Sequence, residues 1–161
     1  MIVADTSTLI SISSVNLLDI FITEFNVHTT ETVVKELEKP SGYNDRHGQA
    51  AQKVLDNLNR INTHQVERDL TSSRIDQGEG SCALLTKETE AEFLVTDDLR
   101  ALPELQNIAD AKTAISPIIL QALVKKDELK QEEAVKKIDE LGKKRDWLGA
   151  PIYQKAKNLL E

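Results

Sequence analysis

Phe93-Leu94-Val95-Thr96-Asp97-Asp98 is a short run of large and β-branched apolar residues that stops on two acids. Such a run reads as a strand buried on both faces, the kind found in parallel sheets. The chain opens on the same pattern. Ile2-Val3-Ala4 stops at Asp5 and a Thr-Ser-Thr cluster, which predicts a second buried strand, a turn, and a helix carrying Leu9, Ile10 and Ile12.

Phe25–Thr29 reads as a strand, and Thr30 as the N-cap of a helix from Glu31 that ends before the loop Pro40-Ser41-Gly42. Ala50, Ala51, Val54, Leu55 and Leu58 recur at helical spacing. A weaker strand is expected around Ile61–Val66. Asp76 precedes a helix over Gln77–Thr89 whose inner side is Cys82, Ala83 and Leu85. A last strand falls within Asp110–Ile115, after which Ser116 as N-cap and Pro117 in the first turn open the first of three helices near 117–126, 131–142 and 150–160. Strands alternating with helices predict an α/β fold, a mainly parallel sheet covered on both faces, in which ligands gather beyond the carboxyl ends of the strands.

The 161 residues suit a single domain, 1–161, with a site-bearing core over 1–116 and a C-terminal helical part over 117–161. Apolar residues make up 40% but aromatics only 4%, so the core must be aliphatic. Twenty-seven acids against twenty bases leave a net charge of −7, which at first argues against a polyanionic partner. The excess is uneven: residues 1–111 hold nineteen Asp/Glu and nine Lys/Arg, whereas 112–161 hold eight and eleven. One cysteine, Cys82, allows no internal disulfide, and no Cys/His spacing suits zinc. No apolar run approaches the roughly 18 residues of a membrane span, and no export signal is read, so a cytoplasmic setting is expected. Nucleophile-elbow, P-loop and dinucleotide glycine signatures are absent.

Asp5 and Asp97-Asp98 end two strands of one parallel sheet, so they should share a rim. Like charges so placed call for a cation, and carboxylates without His or Cys suit a hard one such as Mg²⁺ or Mn²⁺. The plainer alternative is that each Asp caps the next helix. Glu36 and Glu38 flank the apolar stripe Val33, Val34 and Leu37 on opposite edges, and helical geometry alone leaves open which one turns to the rim. Glu79 falls on the apolar side of its helix, either as the N3 partner of Asp76 in a capping box or as a rim acid. Arg100 and Lys143-Lys144-Arg145 are candidate contacts for an anionic ligand, the triplet being equally well explained as a solvated helix end. Trp147 and Tyr153 serve packing more readily than base stacking.

Taken together, Val3–Ile10, Val33-Val34-Lys35-Glu36-Leu37, Gly78-Glu79-Gly80 and Leu94–Asp98 resemble, in order and spacing, the four motifs of the PIN domain family, in particular its VapC-like branch. The tail Arg145–Tyr153 is also similar to those relatives. The resemblance implies a three-layer α/β/α fold and a divalent-metal-dependent endoribonuclease, often a toxin held by a cognate antitoxin and commonly a homodimer. By position it implies catalytic roles for Asp5, Glu36, Glu79 and Asp98. Metal ligation would fall to Asp5, Asp98 and Glu79 with Asp97 assisting, and Thr6, Ser7 and Thr96 would be supporting hydroxyls, Thr6 and Ser7 steadying the first acid. Glu79 stands where Asp is commoner, one methylene longer. That departure, with the acidic charge, keeps a second possibility in play: a regulatory binding module of weak or no activity. A receiver domain or an Asp-x-Asp phosphatase fits poorly, because Asp5 has no acidic neighbour and position 7 is Ser.

Overall fold

The computed structural model describes residues 1–161. Its sheet has five parallel strands: β1 (Ile2–Ala4), β2 (Val27–Thr30), β3 (Asn62–His64), β4 (Phe93–Val95) and β5 (Lys112–Ala114). Their spatial order is β3-β2-β1-β4-β5. β1 is central because the chain first builds outward to β2 and β3, then crosses back to lay β4 on its other side. Ala4 lies opposite Val95, so Asp5 and Thr96 leave the sheet side by side. The whole acidic rim follows from that register.

Nine helices surround the sheet: α1 (Thr6–Ser14), α2 (Leu18–Glu24), α3 (Glu31–Ser41), α4 (Arg46–Asp56), α5 (Gln77–Glu88), α6 (Leu102–Ile108), α7 (Pro117–Lys125), α8 (Gln131–Lys144) and α9 (Pro151–Leu160). The α/β/α architecture expected from the alternation is the one observed. α4 packs against α1 and α3, while α5 packs on β1, β2 and β4 with α6 beside it. α7 packs on α8 and α9, and α8 reaches back to α1. One continuous aliphatic core runs from Val3, Leu9 and Leu94 through Ile119 to Ile138, Leu141 and Trp147. Trp147 therefore packs, and the C-terminal helices are welded to the sheet rather than appended to it. No single helix is long and apolar enough to cross a membrane; the apolar pair α1 and α2 is bent by 118°.

Local chemistry sets the helix starts. Asp5, Thr30, Asp45 and Asp76 each occupy an N-cap and accept a bond from a first-turn amide. Four departures from the sequence reading have physical causes. α3 runs through Pro40 to Ser41 instead of stopping before it. Proline's fixed φ is helical, and in the last turn it forfeits only the bond to the carbonyl four residues back. β2 begins at Val27 rather than Phe25 and takes in Thr30. α2 and α6, seven residues each, are too short to show a period. Ser116 precedes α7 but its side chain does not cap it; its backbone amide is drawn to Asp97 instead.

Candidate active site

The rim is assembled from the residue that follows β1, from α3, from the first turn of α5, and from the turn after β4. Asp5 is both the cap of α1 and a rim acid, so the two sequence readings coincide. Its Oδ1 accepts from the Ser7 hydroxyl (2.8 Å) and from the Thr8 amide (2.9 Å). Burial pushes its carboxyl up to about 6, against the pull of the Thr96, Thr8 and Ser7 bonds, with the charge of Asp97 adding to the rise. A carboxyl so displaced lacks a nearby counter-charge strong enough to offset desolvation.

Glu36, not Glu38, is the helix α3 acid that turns to the rim; Glu38 is exposed. The Thr6 hydroxyl donates to Glu36 Oε1 at 2.9 Å, so Thr6 steadies the second acid rather than the first. Burial raises Glu36, the charge of Asp76 adds, and Asp5 contributes more weakly. Gly78 explains how the carboxylate fits: a Cβ there would stand 1.7 Å from Glu36 Oε1. The glycine keeps open a cradle in which α5 meets the acid of α3.

Glu79 completes the capping box, its Oε2 accepting from the Asp76 amide (3.0 Å) while Asp76 accepts from the Glu79 amide (2.8 Å). It is also 6% exposed and within hydrogen-bonding reach of Asp98. Burial pushes Glu79 up to about 8; the bond and charge of Asp98 reinforce the shift, and the Asp76 amide opposes it. Asp98 Oδ1 accepts from the Arg100 amide at 2.9 Å. Thr96 links the two strand ends, facing Ser7 at 3.5 Å and receiving the Asp98 amide at 3.2 Å.

Asp97 has a different environment. Its Oδ2 accepts from the Ser11 hydroxyl at 2.7 Å and its Oδ1 from the Ser116 amide at 2.7 Å. Arg145 Nε donates to the same Ser11 hydroxyl at 3.1 Å, and its Nη1 lies 3.2 Å from His47 Nδ1. The guanidinium is half-buried among protein partners, with the charges of Asp97 and Asp5 holding its proton against the cost of burial. Lys144 is similarly committed, donating to the Ser14 carbonyl at 2.9 Å. Lys143 and Arg100 are exposed. Tyr153 donates to Asp139 and carries Lys157 over its ring.

Ser11, His47 and Asp76 are site groups that the sequence reading does not reach. Only Asp76 leaves a signal, through its spacing to Glu79. Cys82 lies wholly in the core beneath the acids, and burial raises its thiol.

The donor set is all oxygen and mostly carboxylate, which is the chemistry a hard divalent cation requires. The Gly78 cradle and the unbalanced burial of Asp5, Glu36 and Glu79 fit the same occupant. No three acid, His or Cys side chains are drawn tightly enough together to hold an ion as they stand. Each carboxylate rests instead on its own donor.

A family model described as a PIN domain matches residues 1–161, and the chain belongs to that family. PIN domains are typically nucleases, and they generally use divalent metals. No curated protein matches the chain.

Proposed function

We propose that the protein is a divalent-metal-dependent endoribonuclease, hydrolysing RNA phosphodiester bonds at Asp5, Glu36, Glu79 and Asp98. The supporting observation is two pairs of interacting carboxylates, Asp5 with Glu36 and Glu79 with Asp98, contributed by four separate segments of a chain in a nuclease family. Asp5 and Asp98 would hold Mg²⁺ or Mn²⁺, with Glu36 and Glu79 ligating directly or through water. The ion would activate a water and offset charge developing on the phosphate.

The chain's own groups prepare that centre. Ser7 and Thr96 fix Asp5, Thr6 fixes Glu36, and the Arg100 amide fixes Asp98. Asp97, with both oxygens spent on Ser11 and Ser116, is assigned a positioning part rather than ligation. Arg145 joins it there and leaves RNA contact to more exposed cations.

The finer reading, a VapC-like toxin silenced by a cognate antitoxin and working as a homodimer, is supported by the four motifs of the sequence. A small DNA-binding protein encoded beside it that binds the chain and stops cleavage would support it further. The decisive test of the activity is incubation with single-stranded RNA and Mn²⁺. Cleavage lost in Asp98→Asn is expected. The competing reading, a binding module, draws on Glu79 being engaged in its capping box, and binding without cleavage by the wild type would favour it.

A further inference from the structure

A second charged feature lies outside the acidic rim. A cavity of about 220 Å³ opens between the end of α1, the start of α4 and the end of α8, lined by Ser13, Ser14, Asn16, Arg46, Gln49, Ala50, Lys53 and Lys144. Three of these are cations, none is an acid, and only Ala50 is apolar. Lys144 is paired with Glu140 at 3.8 Å, whereas Arg46 and Lys53 are in no ion pair. In a chain of net charge −7, with nine cations in its first 111 residues, two of them converging on one polar cavity is a concentration of charge against the background.

The cleft is also built to keep that charge in place. Asn16 has φ +60, the left-handed conformation that Asn tolerates, and closes the end of α1. Its Oδ1 accepts from Lys53 Nζ at 3.0 Å, holding the ammonium at the cavity wall. Lys144 covers the Ser14 carbonyl, masking the negative pole of α1 that would otherwise repel an anion. Arg46 stands in the first turn of α4, where the helix dipole adds positive potential. The cleft lies along α1, about 12 Å from Asp5 at 1.5 Å per residue, and Arg145 meets the same helix at Ser11.

We infer that this cleft binds the phosphodiester backbone of single-stranded RNA, holding the strand a short distance from the rim where it is cut. Arg46 and Lys53 are the contacts. Polar lining without an aromatic platform predicts recognition of backbone charge rather than of bases. RNA as the ligand rests on the nuclease reading above; a phosphodiester site as such does not.

The test is fluorescence anisotropy with a labelled oligouridylate of about 12 nucleotides, in chelator so that no cleavage intervenes, across a salt series. The double variant Arg46→Gln, Lys53→Gln changes two exposed side chains, and an unaltered melting temperature checks its fold. Loss of two phosphate contacts lowers the slope of log K against log salt by about 1.4, with affinity down about tenfold or more at low salt. A slope and affinity equal to wild type would overturn the cleft. A thymidine oligonucleotide of the same length should show the same loss, since the backbone charge is shared; a loss seen with only one of the two would count against recognition of the backbone. Cleavage in Mn²⁺ is scored separately. Cleavage with an unchanged slope refutes the cleft and spares the nuclease, whereas no cleavage with a lowered slope refutes the nuclease and spares the cleft.

Discussion

Asp97 and Asp98 are consecutive acids with opposite surroundings. Asp97 belongs to a closed block: Ser11, the Ser116 amide and, through Ser11, Arg145 tie it to α1, to the start of α7 and to the turn after α8. Asp98 belongs to an open rim, where it faces another carboxylate, Glu79. In the block burial raises Asp97 as well, but the Ser11 and Ser116 bonds and then the charge of Arg145 oppose the rise. At the rim the carboxyls of Asp5, Glu36 and Glu79 are all raised, chiefly by burial and then by neighbouring carboxylate charge. A closed acid stabilises the fold; an open one waits for a cation. The difference separates scaffold from site within two residues.

The sharpest way to break that distinction is to neutralise each acid in turn. Asp98→Asn should reduce RNA cleavage by more than about 100-fold, beyond what outer-shell partners of a metal are ordinarily worth, with little change in melting temperature. Asp97→Asn should do the reverse, costing about 1.5–3 kcal/mol of stability through its weakened charged hydrogen bonds and sparing most of the cleavage. Denaturant melts and a gel assay read both. Equal effects on both assays for the two variants would erase the distinction.

A second comparison uses the glycines of α5. At Gly80 a Cβ would meet the Leu70 carbonyl oxygen at 1.7 Å, a backbone atom that cannot easily yield, so Gly80→Ala should destabilise by about 1–3 kcal/mol. At Gly78 the obstacle is the tip of the Glu36 side chain, which can swing away. Gly78→Ala should therefore keep its stability and lose cleavage, because it displaces a rim acid.

The smallest expected effect is on pH dependence. Asp5 at about 6 and Glu79 at about 8 bind protons in the folded state that the unfolded chain has already released. Their protonated forms favour folding at low pH, and this contribution is lost as pH rises through those values. The metal-free protein should melt several degrees lower at pH 8.5 than at pH 5.5, and Asp5→Asn should flatten part of that slope. Added Mn²⁺ should reduce it too, by favouring the ionised carboxyls. A melting temperature that rises over this range in chelator would count against the open rim.

Much of the fold and half of the site's logic are legible in the amino-acid sequence alone. Two apolar runs ending in acids predict the parallel strands and their shared rim, because buried parallel strands leave a strong compositional trace. The order of the four motifs is enough to place their acids along the chain. What the sequence hides depends on tertiary approach. Glu36 and Glu38 are indistinguishable by helical spacing; the Thr6 hydroxyl and the Gly78 cradle set the face of α3. Asp97 and Asp98 look alike in the chain, and only Ser11 and Ser116, distant in sequence, separate them. Arg145 reads as a surface cation because nothing local reveals that α8 ends against α1. Arg46 and Lys53 carry no mark in the sequence, since their meaning depends on the ends of two other helices.

The most direct measurement is calorimetric titration of Mn²⁺ into the wild type, Asp5→Asn and Asp97→Asn. Binding is expected in the wild type, lost in Asp5→Asn and retained in Asp97→Asn. Binding that survives in Asp5→Asn, or that is absent from the wild type, would contradict that expectation.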